Sequence, residues 1–216
     1  MPNINDLGFP FTSQTGDRQY SASEWRDYFS ALVSNGVAPD IGGELEVHAQ
    51  PTPNKTVYID TGAIIIRGAM RILAETVSLS FADNTSGNPR IDRVVARLNY
   101  TDRKIEFVVK QGTPAASPAP PALTRSATTH WELSLAQVSL ANGYSTITAS
   151  EITNERLDED VCGYSKTLYM QEFDDENNLL KYKRDVISVD TYGTPTEVRY
   201  LRDDDSLFLK RSYSNP

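Results

Sequence analysis

Residues 90–114, which read RIDRVVARLNYTDRKIEFVVKQGTP, contain two runs in which apolar and polar side chains alternate. In the first run Val94, Ala96 and Leu98 fall on one side of an extended strand, and the second run repeats the pattern through Phe107. Successive side chains of a strand point to opposite faces of a sheet. The two runs therefore predict an antiparallel hairpin with one apolar face.

The other face of this hairpin is expected to be polar. Arg93 and Arg97 lie on the first strand and Glu106 on the second, so cross-strand ion pairs are possible, each worth a few tenths of a kcal/mol if exposed. The polar residues 99–104 between the runs are too many for a two-residue turn, and they predict a loop of about four to six residues built around a type I turn.

Composition limits the classes of function. The net charge of −8 argues against nucleic acid as a partner, because phosphate-backbone binding needs a basic surface. One cysteine, Cys162, and two histidines, His48 and His130, allow neither an intrachain disulfide nor a zinc site of the usual type. No apolar run is long enough for a membrane span and the start does not look like a signal peptide, so we expect synthesis in a cytoplasm without membrane insertion.

The chain predicts three parts: an extended N-terminal arm (1–20), a β-rich body (21–163) and a small C-terminal β meander (164–216). The body begins with an amphipathic helix over 21–35, because Ser21 and Glu24 form a capping box and an apolar stripe follows through Trp25 and Phe29. Asn35 and the glycine after it predict a left-handed C-terminal cap. We expect Trp25 and Phe29 to pack in the core beneath a sheet, rather than to form a ligand platform.

The remaining body predicts antiparallel strands without crossover helices, and hence a β-sandwich-like fold. The continuous apolar run Ala63–Ile66 predicts a strand buried on both faces or a bend at a sheet corner. In residues 131–140 the apolar side changes near Leu135, which predicts a β-bulge or register change there.

The C-terminal part predicts five short strands separated by polar turns: Thr167–Phe173, Leu179–Arg184, Val186–Tyr192, Glu197–Arg202 and Leu207–Tyr213. A unit of this size is marginal alone, so we expect it to pack on the body or on symmetry mates.

Residues 114–124 are rich in proline and should be extended and polyproline-like. Two interpretations stay open: a strap that docks across a neighbouring subunit, and a stiff loop on the surface of its own chain. The prolines that we take as interface candidates are Pro114, Pro118, Pro120 and Pro121.

No catalytic constellation is evident. His48 and His130 occupy alternating strand positions, and Cys162 has acidic residues just upstream that would raise the pKa of its thiol. The acidic groups at 158–160, 174–176 and 203–205 are the candidate metal ligands, and residues 174–185 only partly match a calcium loop, with Leu179 in place of its glycine. We interpret them as solvated turns and expect neither enzymatic activity nor a cofactor.

The first three quarters of the chain resembles structural proteins of phage tails and baseplates, in the class of upper-baseplate or tail-fibre attachment proteins of siphophages that infect Gram-positive hosts. The resemblance follows the order of six segments: GDRQYSASEWRDYFSALVSNGV (16–37), VYIDTGAIIIRGA (57–69), residues 90–125, WELSLAQVSL (131–140), ITNER (152–156) and CGY (162–164).

This resemblance implies a non-enzymatic virion protein that forms a homo-oligomer, as a trimer or ring, and contacts other tail or baseplate proteins. The N-terminal region would dock to the tail, which makes Asp17, Arg18, Tyr20 and Trp25 interface candidates. The alternative is a receptor-binding module for host cell-wall polysaccharide, in which tyrosines of the C-terminal part would stack on sugar rings. The candidate tyrosines are Tyr182, Tyr192 and Tyr200.

Overall fold

The structure, a computed structural model, describes residues 20–166 in full and the backbone of residues 170–173, 179–189, 195–201 and 207–212. The chain divides into two compact units, residues 1–166 and 167–216. It is mainly β, with one α-helix in the described part. None of the described helices is long and apolar enough to cross a membrane.

The first unit begins with helix α1 (Ala22–Leu32) and continues in strands. These are β1 (Gly36–Val37), β2 (Val47–Ala49), β3 (Thr56–Ile59), β4 (Gly62–Ile66), β5 (Ala69–Leu73), β6 (Val77–Ser80), β7 (Arg90–Asn99), β8 (Lys104–Lys110), β9 (His130–Leu140) and β10 (Ile152–Asn154). The second unit holds β11 (Met170–Phe173), β12 (Leu179–Val189), β13 (Pro195–Leu201) and β14 (Leu207–Ser212).

Strands of the first unit form three antiparallel sheets. The central sheet has the order β10-β9-β7-β8, and two smaller sheets have the orders β1-β4-β5 and β2-β3-β6. Side chains from all three enter one hydrophobic cluster, for example Ile59 from β3, Ile64 from β4 and Leu135 from β9. In the second unit β11, β12, β13 and β14 pair in sequence order, again antiparallel.

The predicted hairpin is confirmed as β7 and β8. They pair from Arg93 opposite Lys110 to Asn99 opposite Lys104, so the loop is residues 100–103. The predicted apolar face, with Val94 and Phe107 among its members, is buried in the core. The hairpin decides the fold because β9 then pairs with the other edge of β7 over the full length of that strand.

The register change expected near Leu135 is also confirmed. Val94 lies opposite Ala136 while Val95 lies opposite Ser134, so Leu135 is the extra residue of a bulge in β9. A bulge shifts the following residues to the other face, and this lets both Leu133 and Ala136 reach the core. The run Ala63–Ile66 likewise forms the buried strand β4, as predicted.

The predicted polar face of the hairpin is wrong in one respect, because β7 is buried on both faces. Val95 and Arg93 on that face are buried. Arg97 stands opposite Glu106, as the register required, but its ion pair is with Glu132 of β9 at 2.8 Å. Residues 111–124 cover this face. The strand pattern of β7 alone does not indicate that another segment covers it.

The start of α1 is as predicted, and its end differs. Ser21 Oγ accepts the amide of Glu24, and the Glu24 carboxylate accepts the amide of Ser21, which completes the capping box. The helix stops at Leu32 with an extended Val33, and no left-handed cap forms at Asn35. Instead the Asn35 Oδ1 accepts the amide of Arg67 at 2.6 Å, because the chain leaves the helix extended and joins the sheet as β1.

Gly68 lets the helix lie close against the body. It occupies the β4–β5 turn with a φ of 73°, and a Cβ atom there would stand 1.9 Å from the carbonyl oxygen of Arg26. Any other residue would be strained in this backbone conformation and would push the turn away from α1.

The second unit differs from prediction in its strand count. The predicted strands Leu179–Arg184 and Val186–Tyr192 form one strand, β12, as far as Val189. Register shifts against β13 follow Val186 and Ser188. The break was predicted at Asp185, but Asp185 pairs regularly with Arg199, and the irregular pairing lies further on, within the second predicted strand. The ends predicted at 167–169, 190–192, 202 and 213 lie outside the described residues.

Candidate interaction surfaces

The helix α1 exposes aromatic and aliphatic side chains. Trp25 and Tyr28 are each 38% exposed, Phe29 is 44% exposed and Leu32 is 47% exposed. No residue of α1 is buried. The prediction that Trp25 and Phe29 pack in the core beneath a sheet is therefore wrong, because α1 lies outside the core that the three sheets build among themselves.

These side chains form a continuous cluster, which we call the aromatic face (Tyr20, Trp25, Tyr28, Phe29 and Leu32). Trp25 stacks on Phe29 with ring centroids 6.0 Å apart, and it meets Tyr20 and Tyr28 edge-on, each at 6.3 Å. Positions 25, 28, 29 and 32 repeat at the spacing of a helix-packing seam. The aromatic face is thus prearranged for contact with another apolar surface.

A second surface consists of residues 111–124, which we call the proline strap. The strap lies on the polar face of the central sheet, where several hydrogen bonds hold it. Gly112 N donates to Asp92 at 2.8 Å, and Arg93 donates to the carbonyl of Pro121 at 2.8 Å. Near its end, Thr124 N donates to Glu132 at 2.7 Å and Lys110 Nζ to Thr124 Oγ1 at 2.9 Å. These contacts favour the interpretation of the strap as a loop on its own chain.

Beneath the strap lies a buried ionic network centred on Glu155. Arg93 Nε and Nη2 donate to its two carboxylate oxygens at 3.1 and 3.0 Å. Ser134 Oγ and Gln137 Nε2 donate to the same carboxylate. Arg93 and Glu155 are both buried, so each charge depends on the other for its compensation.

Glu132 is the second buried carboxylate in this layer. Arg97 Nε donates to it at 2.9 Å and Lys110 Nζ at 2.6 Å. Burial by itself raises the pKa of Glu132, but the hydrogen bonds from Lys110, Thr124 and Arg97 outweigh burial and hold the pKa below its ordinary value of 4.5. The carboxylate is therefore charged at neutral pH and joins strands β7, β8 and β9 to the strap.

The same balance holds for Glu155. Burial acts to raise its pKa, and the hydrogen bonds from Arg93, Ser134 and Gln137 lower it below 4.5. Sequence reasoning missed these carboxylates as anchors. The available signal was the occurrence of Arg93, Arg97 and Glu132 inside apolar strand runs, but their partners depend on the register between β7 and β9.

A third surface is a cleft of about 510 Å³ between the first turn of α1 and the tip of the β7–β8 hairpin, which we call the helix–hairpin cleft. Its walls include Arg26 of α1, Met70 of β5, and Tyr100, Arg103 and Lys104 of the hairpin tip. Sequence reasoning did not find this cleft, because the residues that line it come from distant parts of the chain.

The interface candidates named from the sequence are only partly brought together. Tyr20 and Trp25 lie side by side on the aromatic face. All four candidate prolines of the strap are half-buried: Pro114, Pro118, Pro120 and Pro121. Asp17 and Arg18 lie outside the described residues.

The candidate tyrosines for sugar binding belong to the second unit. Tyr182 lies on β12, and Tyr200 on β13 stands opposite Arg184, two residues further along β12. Tyr192 lies outside the described residues.

The two histidines and the cysteine that were considered for catalysis occupy structural positions. The ring of His48 stacks on Tyr58 with centroids 5.1 Å apart, and His130 begins β9. Cys162 is buried, and this burial is the main cause that raises the pKa of its thiol to about 12. A thiol in this state is a weak nucleophile at neutral pH.

No group of three or more potential ligands that could hold a metal ion occurs among the described residues. The acidic residues 158–160 form an exposed turn. The acidic groups at 174–176 and 203–205 lie outside the described part of the chain, and so does most of the partial calcium-loop match.

In comparisons with known proteins, no family model, no curated protein and no solved structure matches this chain.

Proposed function

We propose that this chain is a non-enzymatic structural protein of a phage tail or baseplate, which assembles as an oligomer and links the tail to fibres or receptor-binding proteins. The observation that carries the proposal is the aromatic face. Trp, Tyr and Phe are enriched in the cores of protein interfaces, and contiguous exposed apolar patches on soluble proteins mark interaction sites.

The position of the aromatic face supports assembly more than ligand binding. Its four helical residues lie along one side of α1, so they offer a seam for a second helix or sheet. Phe29 and Leu32, at 44% and 47% exposed, lose the most solvent contact when such a partner binds. An oligomer of this chain, as a trimer or ring, would supply that partner surface.

The shape that we propose for the two units also suits a structural role. We propose a sandwich-like body, supported by the core that the three sheets share, and a meander for the second unit, supported by the pairing of consecutive strands. Antiparallel architectures of this kind place their loops at the ends of the strands and expose edge strands along the sides, and neighbouring subunits can bind at both.

The absence of enzymatic activity is part of the proposal. It is supported by the surroundings of the histidines and the cysteine: His48 stacks on Tyr58, and the Cys162 thiol is buried with a pKa raised to about 12. In the described residues, neither histidine hydrogen-bonds to a serine hydroxyl or a thiol, as nucleophilic catalysis would need.

Immunogold labelling tests the location. Antibodies raised against the chain should bind at the tail end of phage particles whose genome encodes it, and the chain should be present in purified tails in a fixed copy number. Particles that carry no label and contain none of the chain would contradict the proposal. A chain that clears suspended cell walls would contradict the non-enzymatic part.

A further inference from the structure

We propose that the helix–hairpin cleft binds the acidic turn of residues 157–160 from a second copy of this chain. This inference rests on the proposed function, because it takes self-assembly as given and names the two surfaces that would meet. The contact is head-to-tail, since the cleft and the acidic turn are different patches of the same subunit.

The cleft has the size and lining of a peptide-binding site. Its volume of about 510 Å³ falls within the range usual for small-ligand pockets. Leu98 and Ile105 are buried and contribute to its apolar lining, and Met70, which is exposed, adds an apolar wall. An occupant therefore needs an apolar side chain as well as groups that match the charged rim.

The rim is cationic. Within residues 20–166, neither Arg26 nor Arg103 lies within ion-pair distance of a carboxylate, whereas Lys104 pairs with Glu106 at 3.0 Å and with Asp102 at 3.7 Å. Because Lys104 compensates those two acids, the charges of Arg26 and Arg103 remain available. Guanidinium groups suit carboxylates because they donate two parallel hydrogen bonds.

The guanidinium of Arg26 and the backbone of Arg103 are each constrained. The guanidinium of Arg26 lies 5.8 Å from the centre of the Tyr100 ring, in a cation–π arrangement. Arg103 adopts a left-handed φ of 54° in the hairpin loop, a conformation that is uncommon for a residue with a side chain. Strained residues of this kind occur more often at functional sites.

The acidic turn has the complementary features. Leu157 is 61% exposed, and Asp158 and Asp160 are exposed beside it. The backbone of the turn is fixed, because the carbonyl of Asp158 accepts the amides of Val161 and Cys162 at 3.2 and 2.8 Å. A preorganised turn loses little conformational entropy when it binds.

The two surfaces lie at opposite ends of α1. Ala22 and Ser23, at the start of the helix, line the cleft, while Glu159 of the acidic turn lines a cavity with Ser34 and Asn35, just after the helix. An 11-residue helix is about 16 Å long.

A head-to-tail contact of this type forms a ring if its rotation closes and a filament if it does not. The charge match would also orient the subunits, since placing like charges together is costly at an interface. The net charge of −8 favours mutual repulsion of subunits elsewhere, which makes the two cationic rim residues more important for association.

A charge-exchange experiment tests the inference. Two variants reverse one partner each: Arg26→Glu with Arg103→Glu, and Asp158→Arg with Asp160→Arg. A third variant combines all four changes and has the same net charge as the natural chain. The mass of each is measured by light scattering across a dilution series, and circular dichroism checks that each is folded.

We expect each two-residue variant to raise the dissociation constant of the oligomer about tenfold or more, and the combined variant to recover most of the loss. Leu157→Ser, which leaves the charge unchanged, should also weaken association, and Glu75→Arg, at an exposed position outside both surfaces, should not. If an aspartate variant does not fold, the comparison of Leu157→Ser with Glu75→Arg still tests the inference.

Two results would overturn the inference. If the natural chain forms an oligomer that both reversed pairs leave intact, the contact lies elsewhere and the proposed function survives. If the natural chain stays monomeric at every concentration, the self-contact does not exist, and the proposed function then depends on the labelling of virions alone.

Discussion

At the residue scale, the stability of the first unit depends on charges that are buried beneath the proline strap. Buried ion pairs add little net stability when intact, because desolvation offsets their attraction, but removing one partner leaves an uncompensated charge. The Arg93–Glu155 pair has this character, with both side chains buried and two further hydrogen bonds to the carboxylate.

We therefore expect Glu155→Ala to lower the free energy of unfolding by about 3–5 kcal/mol. The matched control is Asp83→Ala, which removes the partner of Lys55 from a pair that is exposed and should change stability by less than about 1 kcal/mol. Urea denaturation measures both. Equal effects would mean that the Arg93 side chain is solvated in the folded protein.

The same carboxylates predict how stability depends on pH. The pKa values of Glu132 and Glu155 are lowered in the folded chain, so the unfolded state binds more protons as the pH falls. The stability they contribute is complete above the unfolded pKa and is lost as the pH falls through the folded pKa.

The free energy of unfolding should consequently hold steady between about pH 7 and pH 5 and decrease below about pH 4.5. Glu155→Gln should flatten part of that decrease, because it removes one of the carboxylates whose pKa is lowered by folding. Denaturation curves at a series of pH values measure this, and an acid-induced decrease that is unchanged in Glu155→Gln would exclude Glu155 as a cause.

Sequence alone predicted residues of the core more reliably than residues of the ionic layer. Strand alternation placed Val94 and Phe107 inward, and both are buried. It also marked Arg93 as outward, which is correct for the face but wrong for its exposure. A local pattern reports which side of a strand a residue is on, whereas burial of that side depends on segments that are distant in sequence.

At the scale of single elements, α1 shows the same limit. The capping box fixed the start of the helix, because that motif involves only neighbouring residues. The stripe of Trp25 and Phe29 predicted an apolar face, which is present, but the expectation that the core covers it was wrong. An interface helix and a core helix have the same periodicity.

Replacing Phe29 and Leu32 with serine tests whether the aromatic face packs in the core of its own subunit or at an interface. We expect the double variant to lower the unfolding free energy of the isolated chain by less than about 2 kcal/mol, since both side chains are already half exposed. Phe107→Ala, in the core, should cost about 3–5 kcal/mol.

The serine variant should at the same time weaken the oligomer, as judged by the mass in a dilution series. Phe107→Ala is the comparison, because it changes a buried core residue outside the aromatic face. A serine variant that destabilises the monomer as much as Phe107→Ala would place the aromatic face within the core of its own subunit.

For the proline strap, a role within its own subunit can be distinguished from a role at a subunit interface. Pro120→Ser with Pro121→Ser should lower stability by about 1–2 kcal/mol, because proline restricts the unfolded chain, while leaving the oligomer intact if the strap serves only its own subunit. Loss of the oligomer at unchanged monomer stability would instead support a strap that docks on a neighbour.

At the scale of the whole molecule, antiparallel strands and short connections were predictable from alternation and from turn residues. The bulge at Leu135 was predictable too, because the apolar side of β9 changes there. The positions of the helix–hairpin cleft and of the ionic layer were not, since each is assembled from the register between strands and from segments more than twenty residues apart.

The central claim is that this chain is an assembly protein, and the most direct test is the mass of the purified chain by light scattering across a concentration series. We expect a discrete oligomer, with a mass that is a small integer multiple of 24.0 kDa and that persists on dilution. A mass of one chain at every concentration would contradict self-assembly.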